Sequence, residues 1–259
     1  MQLAGRTVLI TGGRRLGAHL AELLAARGAN IALSCHTSWD RTVAVAAKCR
    51  TLGAQADVFT ADLREPDQAE GLIRNVVERF GAVDVLVNLT SIYTRTPFRD
   101  LRPEQYFDML GSNLTAPYLT AVAAAQQMLR QPVVDGLQGK LLHFTDWAVQ
   151  RPYRDFLPYM VAKGALETLT RTLAVELAPT INVNAIAPGT VLPPPELSEE
   201  RLETIRQSAA LQRIGSPEDV NRLVLYLLEG TDFVTGEIFR VDGGRFLGNP
   251  ERQLGDLDE

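Results

Sequence analysis

Tyr159 and Lys163 stand four residues apart just after Pro158, and Asp146 precedes them in the same stretch. In a helix that spacing puts both side chains on one face, about 6 Å apart along the axis, so an ammonium can lie below a phenol. A nearby cation favours phenolate and draws a tyrosine down from its ordinary value of about 10 toward working pH. A tyrosine tuned in this way is a usable general acid. By itself the pair also suits an ordinary exposed helix face, so the reading depends on what the rest of the chain supplies. Asp146 is open to two readings. Its carboxyl can accept a proton when ionised and donate one when protonated, or it can simply cap a turn.

A second group of residues suits phosphate. Thr11-Gly-Gly-Arg-Arg-Leu-Gly17 follows a strand-like run and leads directly into a helical pattern. Glycines there let backbone approach a pyrophosphate, and a helix N-terminus offers unpaired N–H groups and the positive end of a dipole. The next strand ends Ser34-Cys-His-Thr-Ser38, so His36, Thr37 and Ser38 lie where a ribose-binding carboxylate would be, and none is acidic. With Arg14 and Arg15 in the neighbouring turn, this favours a 2′-phosphate and therefore NADP(H) over NAD(H). Arg14 is also compatible with simple solvation of the loop. Asp62-Leu63 after the third strand suits an adenine-flanking position or, for Asp62, a turn cap.

These groups need a scaffold that brings them together, and the chain reads as one. It has 259 residues, 46% hydrophobic, with 26 basic and 31 acidic side chains and a net charge of −5. That is an ordinary globular composition, large enough for one α/β domain. Short apolar runs at residues 7–10, 30–34, 56–60, 83–87, 140–144, 181–186 and 238–241 read as strands buried on both faces. Helical patterns lie between them at 16–27, 39–52, 66–80, 103–130, 153–177 and 217–228, with Pro66, Pro103 and Pro217 at three of the starts. Regular alternation predicts a doubly wound parallel sheet of about seven strands with helices on both faces. We read residues 1–247 as one domain, 190–210 within it as a lid over the strand ends, and Gly248 to Glu259 as a polar tail.

Several partners are not expected. No run reaches membrane-span length, and the N-terminus leads straight into a strand, so neither a membrane nor a secretory signal is expected and the protein is read as cytoplasmic. Mild acidity without a basic run argues against nucleic acid. Cys35 and Cys49 lack metal-ligand spacing and are expected as buried free thiols, and no metal is expected. Asn88-Leu-Thr and Asn113-Leu-Thr match the glycan-acceptor pattern but are expected to be chance.

The ordered set of glycine turn, Asp62-Leu63, Asn88, Asn113, Tyr159-x-x-x-Lys163, Pro188-Gly189 and Val241-Asp-Gly-Gly resembles the short-chain dehydrogenase/reductase family over nearly the whole chain. Within it the chain looks most like the pteridine reductases. Asp146 matches their aspartate at the position where most of the family has serine, Tyr93 matches their pterin-stacking aromatic, and Arg15-Leu16-Gly17 is similar to their Arg-Leu-Gly turn. The resemblance implies a Rossmann-type fold, NADP(H), a small-molecule substrate and a homotetramer. It implies catalytic roles for Asn113, Asp146, Tyr159 and Lys163, with Asn113 holding a relay water. Cofactor contacts are implied for Gly12, Arg14, Arg15, Leu16, His36, Thr37, Ser38, Asp62, Leu63, Asn88, Thr90, Tyr159, Lys163, Pro188, Gly189 and Val191, and substrate contacts for Arg15, Ser91, Tyr93 and Asp146. Three departures stand out: the turn is one residue short and lacks the middle glycine, Asn88-Leu-Thr-Ser replaces the usual sequence, and Thr37 stands where an arginine is common. The activity implied is reduction of a C=N bond in a pterin- or folate-like ring. The alternatives are a carbonyl reductase or alcohol dehydrogenase acting on a ketone or 3-oxoacyl substrate, and a non-catalytic dinucleotide-binding sensor.

Overall fold

Consecutive residues of the strands face opposite sides, and both sides are apolar. In β1 (Thr7–Thr11) Val8 and Ile10 enter one core and Leu9 the other. In β5 (Gly139–Phe144) Leu142 and Phe144 join the first core and Leu141 the second. A strand of this kind must be covered twice. The structure, a computed structural model describing residues 1–248, does this with helices on both faces of a seven-stranded parallel sheet in the order β3-β2-β1-β4-β5-β6-β7. The remaining strands are β2 (Asn30–Cys35), β3 (Ala56–Thr60), β4 (Val85–Asn88), β6 (Ile181–Pro188) and β7 (Ile238–Val241). The expected tail lies outside the described residues apart from Gly248.

On one face sit α1 (Leu16–Ala26), α2 (Trp39–Thr51) and α8 (Pro217–Leu225). The other is covered by α3 (Pro66–Phe80), α5 (Ala116–Met128) and the C-terminal part of α6 (Leu157–Glu176). Strand order reverses between β1 and β4, so the crevice where ligands bind in such sheets opens at their carboxyl ends. All seven predicted strands are present, with ends moved by one or two residues. The predicted lid contains an irregular stretch and then α7 (Glu199–Gln207), which Ser198 caps by accepting from Arg201 N–H at 3.3 Å. Among the described residues, no helix is long and apolar enough to cross a membrane and no His/Cys/Asp/Glu group could hold a metal. Both cysteines are free and buried, as expected. Asn88 and Asn113 are also buried, which leaves neither accessible to a glycan.

Three helix predictions need correction, of which the one over 217–228 ends as α8 at Leu225 and continues as a π-turn at Tyr226–Gly230. The helix expected over 153–177 begins only at Leu157, because Asp155 takes a left-handed conformation at φ 68° and interrupts the approach. The helix expected over 103–130 is helical to Met128 but changes register on the way: α4 (Pro103–Leu110) passes through a π-turn at Gly111–Thr115 into α5. Pro117 accounts for the wide turn, since it has no N–H to give the Asn113 carbonyl that a regular helix would pair with it.

One buried cation ties the base of β5 to the end of α8. Lys140 Nζ donates to Leu227 O at 2.8 Å, Leu228 O at 3.0 Å and Thr231 O at 2.7 Å, and pairs with Asp232 at 2.7 Å. Those carbonyls close a helix end and would otherwise be orphaned. Lys140→Met is expected to destabilise the fold by about 2–4 kcal/mol, because it strands buried carbonyls. Urea unfolding would measure this.

Candidate active site

The buried stripe of α6 carries Tyr159, Lys163, Leu166, Thr170 and Ala174, set at helical spacing against the sheet. Tyr159 and Lys163 therefore point together at the carboxyl end of β5. Lys163 Nζ donates to Phe144 O at 2.7 Å and lies 5.8 Å from the centre of the Tyr159 ring. Tyr159 Oη donates to Asp146 Oδ2 at 2.9 Å. Asp146 fulfils both of its sequence readings, since its other oxygen accepts from Ala148 N–H at 2.9 Å and caps the short turn Trp147–Gln150.

The electrostatics differ from the expectation. Tyr159 is not drawn toward neutral pH but held well above its ordinary value, first by burial and then by the charge of Asp146. Burial raises Asp146 as well, against the hydrogen bonds from Ala148 and Tyr159. Burial lowers Lys163 to about 8, with Asp146 opposing. The carboxylate bonded directly to the phenol outweighs a lysine below the ring. The phenol thus stays protonated and can act as a donor.

Asn113 is fully buried in the π-turn. Its Nδ2 donates to Ile92 O at 3.0 Å and Met109 O at 3.1 Å, and Ser91 Oγ donates to its Oδ1. It thereby fixes the loop after β4 beside α4. Asn88 proves to be a strut. Its Oδ1 accepts from Thr11 Oγ1 at 3.1 Å and lies 3.0 Å from Thr120 Oγ1, while Nδ2 donates to Pro117 O at 3.2 Å, locking β1, β4 and α5 together. Ser91 is exposed. Tyr93 remains exposed: one face of its ring stacks on Phe156 at 4.5 Å, the ring meets Tyr159 edge-on at 4.9 Å, and its hydroxyl is 2.9 Å from that of Tyr153.

The glycine turn fits a dinucleotide. A Cβ at Gly12 would stand 3.0 Å from the Thr90 N, and one at Gly17 only 2.4 Å from Gly12 O, so both positions require glycine. No side chain caps α1 and its first turn holds no acid, which leaves its N-terminus available to an anion. Arg15, at the place of the absent middle glycine, itself takes a positive φ of 50° with ψ −115°, a region that favours glycine. Its guanidinium crosses the crevice to Leu192 O instead of facing the turn, whereas Arg14 is exposed at the mouth and Leu16 opens α1. His36 and Thr37 are exposed beyond β2, and the backbone oxygen of Ser38 accepts from Thr42. Asp62 is held by Arg64, with Nη2 at 2.6 Å, which lowers it to about 2, and Leu63 is buried beneath. At the other side Pro188 ends β6. A Cβ on Gly189 would stand 2.8 Å from Asp242 Cα, and Val191 is half-buried beyond it.

Residues that sequence reasoning missed complete the site. Trp147, Tyr153 and Phe156 extend the aromatic wall from Tyr93, with ring centres 6.3 Å apart for Trp147 and Tyr153 and 5.1 Å for Tyr153 and Phe156. Arg245, beyond β7, lies over Trp147 at 4.5 Å. His143 is fully buried below Lys163, with Nδ1 3.0 Å from Thr170 Oγ1. Aromatic enrichment between 147 and 156 was a usable signal, but nothing local marked Arg245 or His143.

A family model described as enoyl-(acyl carrier protein) reductase matches residues 13–245. The short-chain reductase protein NovJ of Streptomyces niveus is 34% identical over 249 residues, 92% of each chain. The 3-oxoacyl-(acyl-carrier-protein) reductase FabG of Staphylococcus epidermidis is 28% identical over 247 residues, covering 93% of this chain and 99% of its own. A solved short-chain dehydrogenase from Burkholderia cenocepacia in complex with NADP shares the fold at a TM-score of 0.86 and 30% identity, over 95% of this chain and 99% of that one. The chain belongs to the short-chain dehydrogenase/reductase family and is an oxidoreductase of that family, whose members bind a nicotinamide dinucleotide. None of these matches points to the pteridine reductase branch.

Gly17→Ala is expected to weaken dinucleotide binding by roughly tenfold, since overpacking forces the turn open; a thermal-shift titration with NADP+ would show it. A second expectation concerns pH. Lys163 is charged below about 8 and neutral above it. Activity that needs the ammonium should therefore be full below that pH and fall as pH rises through it, as a pH profile of kcat would test.

Proposed function

We propose that the protein is an NADP(H)-dependent reductase acting on a ketone-type carbonyl. The observation that carries this reading is the Tyr159–Asp146 hydrogen bond at 2.9 Å with Lys163 one turn below, at the open end of β5. When bound, the dinucleotide supplies hydride to the carbonyl carbon. The chain's own residues handle the proton. Tyr159, held neutral, donates from Oη to the substrate oxygen, and the Lys163 charge stabilises the phenolate that this leaves. Asp146, which accepts the Tyr159 hydroxyl at 2.9 Å, orients that proton donor, and solvent restores the proton that Tyr159 gives up. Asn113 and Ser91 hold the loop that borders the substrate.

Support for a carbonyl substrate comes from relatives named as 3-oxoacyl reductases. Support for NADP(H) comes from the exposed Arg14 at the turn, the lack of a carboxylate at residues 36–38, and the engagement of Asp62 by Arg64. One observation favours a second reading, reduction of a C=N bond in a pterin- or folate-like ring: a carboxyl at Asp146 can serve a basic ring nitrogen. The relatives named above, a short-chain reductase and a 3-oxoacyl reductase, lend it no support. We include assembly with further copies of the chain, as a homotetramer, in the proposal. Phe107, Val161 and Val175 leave apolar surface exposed on α4 and α6, and this supports it.

NADPH oxidation, with NADH in parallel, against a 3-oxoacyl thioester, a quinone, dihydrobiopterin and dihydrofolate tests the reading. Turnover of the thioester or quinone with NADPH preferred is the expected result. Turnover confined to the pterin and folate would overturn it in favour of the second reading.

A further inference from the structure

Arg245 is a half-buried guanidinium that no carboxylate pairs with among the described residues. The turn that carries it is built to hold it. Gly243 and Gly244 both take left-handed conformations, at φ 65° and 78°. The neighbouring carboxylate, Asp242, is spent on backbone, accepting from Gly244 N–H at 3.0 Å and Phe246 N–H at 2.8 Å. Arg151 Nη1 clamps the same turn by donating to Arg245 O at 3.2 Å and Phe246 O at 2.9 Å. The guanidinium carbon lies over Trp147, 4.5 Å from the ring centre, and Nη1 donates to Thr190 Oγ1 at 2.9 Å, at the edge of a cavity of about 350 Å³ that also reaches Ile205 of α7.

This placement connects it to the catalytic residues. From Trp147 the aromatic wall runs through Tyr153, Phe156 and Tyr93 to the edge of Tyr159. The Arg245 charge is close enough to favour ionisation of Asp146, Tyr93 and Tyr153, yet Asp146 already takes the Tyr159 hydroxyl and caps Ala148. Burial lowers Arg245 itself, and Arg201 of α7 is near enough to add like-charge repulsion. Arg201 also lacks a carboxylate partner among the described residues. The carboxylates lining the cavity are engaged elsewhere, Asp219 by Arg213 and Asp242 by backbone, so the Arg245 guanidinium at its edge, with no acid assigned to it, forms a place for an anion.

We infer that Arg245 is a specificity-determining residue that binds a carboxylate of the substrate, so that the carbonyl beside that carboxylate faces Tyr159 and the flat group beyond it lies along the aromatic wall. This rests on the reductase reading and narrows it to keto acids bearing an aromatic or other flat group.

The test compares phenylglyoxylate with its methyl ester, the same ketone without the charge, in the wild type and in Arg245→Met and Arg245→Lys. The wild type should prefer the acid. The acid-to-ester ratio of kcat/KM should fall roughly tenfold or more in Arg245→Met, as expected for loss of a charge-assisted pair, and less in Arg245→Lys. Each ratio is taken on one preparation, so a partly unfolded variant cannot imitate the result. An unchanged ratio, or an ester preferred by the wild type, overturns the proposal. A binding readout separates it from the reductase reading. With Trp39 replaced by Phe, Trp147 is the remaining tryptophan of the two in the chain, and its fluorescence reports on the Arg245 site with or without NADP+. If neither compound is reduced but phenylglyoxylate still quenches Trp147, and Arg245→Met abolishes the quenching, the anion site stands and the reductase reading falls. Absence of quenching in the Arg245 protein overturns the anion site.

Discussion

The chemistry depends on how one helix is hung from the end of one strand. Lys163 and Tyr159, one turn apart on α6, bond to Phe144 O and to Asp146 Oδ2, two residues apart in the chain leaving β5. The lysine bond is buried and the tyrosine bond partly so, which strengthens them and makes their loss costly. Desolvation also sets the protonation states, raising Tyr159 and Asp146 and lowering Lys163. His143 fits the same logic. Thr170 gives its proton to Leu166 O, so the imidazole must donate from Nδ1 and keep a bare Nε2. Burial and the Lys163 charge hold it down to about 4, so no second cation forms beneath the lysine.

The other half of the crevice is organised by a backbone approach. Gly17 packs on Gly12 O so closely that a methyl group has no room, and this contact fixes the direction in which α1 meets the turn. A turn one residue short reaches the same end by placing Arg15 in a conformation that glycine would adopt more cheaply. The arginine then reaches Leu192 O, so the phosphate-facing turn and the start of the lid segment are joined by one side chain. A glycine would have eased the backbone but could not have made that connection.

Much of the fold was legible because it is written locally. Alternating apolar strands and proline-started helices gave seven strands in nearly the right places. The later start of α6 was not foreseen, since the periodicity of 153–156 resembles a helix and only the backbone of Asp155 breaks it. Pro117 held the clue to the π-turn. Asn88, Asp62 and Tyr93 were legible as site residues by position, yet their side chains engage Thr11, Arg64 and Phe156 respectively. A spacing cannot show which partner arrives first.

By itself the sequence determined that a phenol and an ammonium share one helix face, that a glycine turn opens a helix after the first strand, and that the sheet is parallel and doubly covered. These follow from periods of two and of about 3.6 residues within single segments. Only the tertiary structure decided that Tyr159 is held neutral, that Asp146 both caps a turn and takes the phenol, and that Arg245 meets Trp147 from the far end of the chain. Protonation and recognition depend on burial and on the group opposite, and both are settled only when distant segments pack.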